Sequence, residues 1–370
     1  MSRISPEVSS QLDSIRALSA LIVVVGHAYQ ILLLPTIKQG LTVVGFFTQM
    51  AVMVFFVLSG FLIGKSICNN SARNAGFNIS QYGRDRALRL YPPLFAAIVL
   101  MVVLGALAPL FFASGSHAYL SIPGATFVRD EYTVAFNELL GALAFLNGFT
   151  TLTPLTNGPL WSLSIEAWYY VLAAAIVVWP TRRLLSVGLV VLTVLVTHKS
   201  RIFFMLAPVW FCGFALAFYH QRRPQMRNAF FAWGIIALSI LTALIVWRSL
   251  SGDAWAKGGI ADPLNHFRLV SGVWFACFLA LLLGNAVRFP VWFSGHASYS
   301  YTLYVVHFPI LLFALGVAQE MIYGSLWRSL LVASVAIAVS LLLAKGIAVY
   351  AENKRLLNAF LPFSSKSHSG

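Results

Sequence analysis

The chain has 370 residues, of which 59% are apolar and 10% charged, with a mean hydropathy of +0.82. A soluble domain carries roughly 25% charged residues, so this composition excludes a water-covered globule and leaves an integral membrane protein. The formal charge of +14 is dispersed between apolar segments rather than gathered in basic tracts, which argues against nucleic acid as a partner.

A bilayer core about 30 Å thick needs about 20 apolar helical residues. The first apolar stretch, 17–34, runs into Pro35-Thr36-Ile37-Lys38 without a small-residue cleavage site. It therefore reads as a retained span, not a removed signal. Nine more segments follow at 41–64, 90–112, 161–180, 184–197, 202–219, 229–247, 269–287, 299–318 and 329–349. The segment at 184–197 is short, but Arg182, Arg183, Lys199 and Arg201 flank it and suit anchoring at both faces.

An eleventh candidate, 138–152, leads into a turn-rich run ending at Gly158-Pro159. If it does not cross, 17 of the 25 cations fall on the cytoplasmic side; if it crosses, the split is 13 to 12. The positive-inside rule favours the first arrangement. The expected fold is all-α and polytopic, with about ten transmembrane helices, both termini cytoplasmic, and 138–159 as a short or re-entrant piece buried in protein. The membrane domain is expected to fill 1–363, with 364–370 a disordered cytoplasmic tail and no second soluble domain. No internal repeat is visible, which disfavours an inverted-repeat transporter. Cys68, Cys212 and Cys277 share no metal spacing and are too few for a disulfide framework.

Arg16 and His27 are 11 residues apart, nearly three helical turns, so they share a face with His27 about 16 Å deeper. An ionisable residue at that depth is a candidate functional group; a neutral histidine bonded between helices is the competing reading. Asp13 can pair with Arg16 one turn away, as a functional pair or a simple helix-end ion pair. Arg86 and Arg89, also one turn apart, precede Pro92-Pro93 at an expected helix start. Arginine forks and free helix N–H groups suit phosphate, although topological anchoring would place arginines there as well.

Trp161-Ser162-Leu163-Ser164-Ile165-Glu166 opens the fourth span, with Glu166 roughly 7 Å along the helix from Trp161. Such a carboxylate needs a partner: it could orient His27, accept from an incoming hydroxyl, or form a structural ion pair. Ser300, Tyr304 and His307 recur at i, i+4 and i+7, forming one polar face beside Pro309, which should kink the helix. That face suits interhelical hydrogen bonding as well as chemistry. Ser59 and Gly60, within Phe55 to Phe61, read as close-packing residues.

In order and wording these pieces resemble the acyltransferase-3 family of bacterial membrane proteins. The pieces are Leu12-Asp13-Ser14-Ile15-Arg16 with His27, Phe55 to Phe61, Arg86 to Pro92, Trp161 to Tyr170 and Ser298 to Pro309, and they cover nearly the whole chain. The resemblance implies transfer of an acyl group, most simply acetyl, from cytoplasmic acetyl-CoA or another short acyl-CoA to a hydroxyl of an extracytoplasmic carbohydrate. It implies no metal and a place in the bacterial cytoplasmic membrane. By motif, Arg16 and His27 match the family's Arg-x10-His pair, Arg86 and Arg89 its Arg-x-x-Arg pair, and Glu166 the acidic end of its Trp-Ser motif. The resemblance thus casts His27 and Glu166 as catalytic and Arg16, Arg86 and Arg89 as donor-binding. Asp13, Trp161, Ser162, Tyr304 and His307 would support the substrate. Ala17 and Ala167 replace a glycine and a second glutamate found in many members. A polyol or polysaccharide transporter, and transfer to a small glycosylated natural product, are the competing functions.

Overall fold

The computed structural model describes residues 4–112, 132–222, 228–251, 263–322 and 324–353. The tail from 364 lies outside the described residues.

Ser5 starts the chain's first helix, α1 (Pro6–Ala28), by accepting from the Val8 N–H, with proline at the first helical position. A π-helical turn at Tyr29–Leu33 and the short α2 (Leu34–Ile37) extend it. The wide turn follows from Pro35, which lacks the N–H that would bond the Ile31 carbonyl. Next come α3 (Leu41–Arg73) and α4 (Ile79–Phe111), each 33 residues and about 50 Å long, so both project well beyond the hydrocarbon core. Asn78 caps α4 through the Gln81 N–H. The helix thus begins two turns before Arg86, and Pro92 and Pro93 lie in its interior. This corrects the expected start near residue 90: the free N–H groups of the helix end are not beside the two arginines.

The remaining helices are α5 (Phe136–Leu143), α6 (Leu160–Val178), α7 (Arg183–Thr197), α8 (Arg201–Arg222), α9 (Asn228–Leu250), α10 (Pro263–Leu283), α11 (Ser300–Ile322) and α12 (Leu326–Ala351). Among the described residues nine helices are long and apolar enough to cross a membrane, and α7 is a shorter apolar helix of 15 residues. These ten coincide with the ten expected spans.

The 138–152 segment does not cross. Its helix α5 has eight residues, about 12 Å. Val134 lies against the position of Gly105 on α4, Phe145 packs on Tyr91, and Asn157 reaches Met101. Gly105 and Tyr91 are about 21 Å apart along α4, so the chain descends beside α4 and returns: a re-entrant hairpin. Its tip is closed by Phe145 and Gly148 at positive φ and by Asn147. The Asn147 amide donates to Glu138 O, Thr151 Oγ1 and Leu152 O. Trp168 Nε1 donates to Phe145 O, so the irregular backbone finds partners inside the protein.

Helix direction gives the same answer. Gly60 abuts Trp210, Gly64 abuts Ala217 and Gly213 abuts Val57, so α3 and α8 run parallel. That requires an even number of reversals between them, which a crossing at 138–152 would make odd. The contact is close because a Cβ on Gly60 or Gly213 would lie 2.1 or 2.0 Å from a backbone oxygen of the other helix. The buried core joins α1, α3, α4, α6, α8 and α11, whereas α9 buries only Ser249 and presents its apolar side chains outward.

Candidate active site

Helices α1 and α11 run parallel, and their contacts fix the site at two levels. At the first, Arg16 Nη2 donates to Ala297 O at 3.0 Å. At the second, three turns along, His27 Nδ1 meets His307 Nε2 at 2.9 Å. The two rings are nearly coplanar, 8° apart with centroids at 5.2 Å, which is the geometry of an edge-to-edge hydrogen bond. His307 Nδ1 is 3.0 Å from Leu303 O. A carbonyl only accepts, so His307 carries its proton on Nδ1 and offers a lone pair at Nε2. His27 must then donate from Nδ1, which places its own lone pair on Nε2. His307 is fully buried, whereas His27 is only half-buried, and the Phe308 ring stands edge-on against His27 at 5.1 Å.

The polar face expected on α11 continues through Tyr304, whose hydroxyl is 2.6 Å from Ser162 Oγ on α6. Ser162 in turn donates to Pro159 O at 3.0 Å. Pro309 removes the N–H that would satisfy Val305 O four residues earlier, and the Asn157 amide supplies that donor at 2.9 Å. The turn Leu155–Asn157 is thereby pinned to α11 next to His307.

Glu166 is placed differently from the expectation that it orients His27. Its carboxylate accepts from Ser59 Oγ on α3 and from Tyr170 OH at 2.6 Å, and Trp210 Nε1 donates to Ser59 at 3.2 Å. The group beside His27 is therefore the second histidine. Ser59, read from sequence as a packing residue, belongs to this polar knot, with Gly60 next to it making the helix contact.

At the arginine end, Asp13 pairs with Arg16 at 3.1 Å. Arg89 lies 3.8 Å from Glu352 and over the Tyr301 ring at 5.5 Å. Arg86 donates to Ser66 Oγ at 3.2 Å and lies near the rings of Tyr82 and Tyr170. The Nε atoms of Arg16 and Arg86 are buried with no hydrogen-bond partner. Arg16 is also within electrostatic reach of Arg89 and Glu352, so the structure gathers Arg16 and Arg89 from α1 and α4, with Arg86 one turn from Arg89. Trp161 lies on the other level, its ring 5.9 Å from the Arg268 guanidinium, which donates to Gln49 and Asn265 at 2.8 Å each.

Sequence reasoning missed Glu352, Trp210 and Arg268. Only Glu352 carries a signal, as an acid directly past the end of an apolar span; the other two are visible only through their contacts.

Comparison with known proteins identifies the family. The acyltransferase-3 family model, described as an acyltransferase domain, matches residues 9–345, and the chain belongs to that family. It is 22% identical over 400 residues to the peptidoglycan O-acetyltransferase OatA of Listeria monocytogenes. The aligned region takes in 99% of this chain and 59% of that relative, so the chain spans under two thirds of the relative's length. No solved structure matches.

Proposed function

We propose that the chain is a membrane-embedded O-acyltransferase that moves an acyl group, most simply acetyl, from acyl-CoA to a hydroxyl of a surface polysaccharide. The observation that carries this reading is the ordered pair of histidines, with the His27 lone pair directed to Nε2, three turns from a cluster of arginines. The family membership and the carbohydrate named for the OatA relative support the acyl chemistry and the acceptor class.

In this reading the arginine end faces the cytoplasm, where acyl-CoA is found. Arg16, Arg86 and Arg89 hold the phosphates, because guanidinium forks form charge-assisted bonds to phosphate oxygens. The pantetheine arm spans the roughly 16 Å to His27 and brings the thioester to it. The acceptor hydroxyl arrives from the opposite side. His27 Nε2 removes its proton as the oxygen attacks the thioester carbonyl, the C–O bond forms, and the C–S bond breaks. The proton then passes to the departing CoA sulfur, leaving an ester and free thiol. The developing imidazolium is stabilised through Nδ1–H donation to His307, whose own proton is held by Leu303 O. Glu166, tied to Ser59 and Tyr170, keeps α3 and α6 in register beside this centre.

The test is mass spectrometry of surface polysaccharide from cells carrying the wild-type chain or His27→Ala, paired with proteoliposomes given radiolabelled acetyl-CoA. The expected result is an acetyl increment on the glycan that requires His27, with label transferred and CoA thiol released one for one. Passage of unmodified carbohydrate through the liposome membrane without thiol release would make the protein a transporter.

A further inference from the structure

Glu352 follows α12 immediately and is held by a different helix. Its Oε1 accepts from the Thr302 backbone N–H at 3.0 Å and from Thr302 Oγ1 at 2.7 Å, in the first turn of α11. Its Oε2 faces Arg89 Nη1 at 3.8 Å. That separation is too long for a hydrogen bond but short enough for the charges to interact strongly where the side chain is 10% exposed. The carboxylate is thus fixed by Thr302 rather than by Arg89, and its second oxygen is turned toward the arginine cluster that also contains Arg16.

Removing this charge would leave more positive potential for an incoming anion, and the buried, unpartnered Nε atoms of Arg16 and Arg86 already leave donors there unused. We propose that Glu352 sets the affinity for the donor: a fixed negative charge that weakens the hold of Arg16, Arg86 and Arg89 on CoA phosphates. The inference rests on the acyl-CoA reading above. Phosphates are common to donor and product, so tight binding to them stabilises both and slows release without aiding the chemical step. A carboxylate set beside the arginines repels both alike, which favours exchange of spent CoA for fresh donor.

Glu352→Gln separates the charge from the cap, because the amide oxygen still accepts from Thr302. Calorimetric titration of the purified full chain with free CoA, acetyl-CoA and 3′-dephospho-CoA at low and high salt provides the test. The variant should bind CoA and acetyl-CoA about three- to tenfold tighter than wild type, with the difference shrinking as salt screens it. A smaller gain is expected for 3′-dephospho-CoA, which carries fewer charges. Unchanged or weaker CoA binding by Glu352→Gln overturns the proposal and leaves Glu352 as a cap for α11. If that variant fails to purify as a monodisperse species, radiolabelled CoA bound to membrane vesicles that carry it, never taken into detergent, should show the same tightening over wild-type vesicles, and equal or weaker binding there overturns the proposal. Wild-type protein that binds no CoA, in a preparation that remains folded, would instead overturn the donor reading itself.

Discussion

His27 and His307 meet through Nδ1 and Nε2 at 2.9 Å, and the Leu303 carbonyl 3.0 Å from His307 Nδ1 fixes the direction of the bond between them. One main-chain oxygen thereby sets the tautomers of two rings on different helices. The pair is asymmetric: His307 is fully buried, and His27 is only half-buried.

That asymmetry separates the two histidines experimentally. His27→Ala should lower acyl transfer by about 10²- to 10⁴-fold, the range of a lost general base, in protein that remains monodisperse in detergent. His307→Ala should cost roughly 10- to 100-fold in kcat, the range for losing a partner that orients a functional histidine, with little change in the KM for acetyl-CoA. His307→Gln should recover part of that loss, since its amide oxygen can accept from His27 Nδ1. Equal activity of the Ala and Gln variants would remove His307 from the positioning role.

The arginines should act on the donor and not on the acceptor. Arg86→Ala with Arg89→Ala is expected to weaken CoA binding by at least about tenfold, charge-assisted bonds being roughly twice as strong as neutral ones. Lysine at both positions should restore it only in part, since the planar fork is lost. Calorimetry with CoA reads this directly, and unchanged binding would make both residues membrane anchors.

The packing of α3 on α8 leaves no room for a side chain at Gly60. Gly60→Ala brings a methyl to 2.1 Å from the Trp210 carbonyl oxygen, so the helices must separate, at a cost of about 2 kcal/mol or more. Thermal unfolding in detergent should show a clear fall in Tm. Gly188→Ala on α7, where nothing lies within 4 Å, should be neutral or slightly stabilising.

Sidedness can be read with a membrane-impermeant thiol reagent on intact cells, in a chain whose Cys68, Cys212 and Cys277 have been replaced. A cysteine at exposed Ser251 should be labelled from outside, and one at exposed Ser80 only after the cells are opened. A cysteine at Thr156 should stay unlabelled on either side, because that position is fully buried. The reverse pattern at Ser251 and Ser80 would place the arginine end outside, away from cytoplasmic acyl-CoA.

Span number was legible in the sequence because each crossing must be satisfied locally: about 20 apolar residues cover a bilayer core whatever the neighbouring helices do. The charge balance between loops likewise carried the prediction that 138–152 turns back. Arg16 and His27 could be placed on one face because a single helix relates them. Contacts between helices have no such local rule. Whether His27 would meet Glu166 or His307 depended on the rotation and depth of α1, α6 and α11, which are set by packing across the whole bundle. The same holds for Glu352, distant in sequence from Arg89 and Thr302 yet seated between them. The start of α4 was misread because Pro92 and Pro93 look like a first turn, whereas the Asn78 cap and the polar stretch before them extend the helix outside the membrane. Sequence thus determined which chemical groups enter the membrane and roughly how deep. Tertiary structure decided which of them touch, because a hydrogen bond between helices depends on relative shifts of an ångström or two that no residue pattern records.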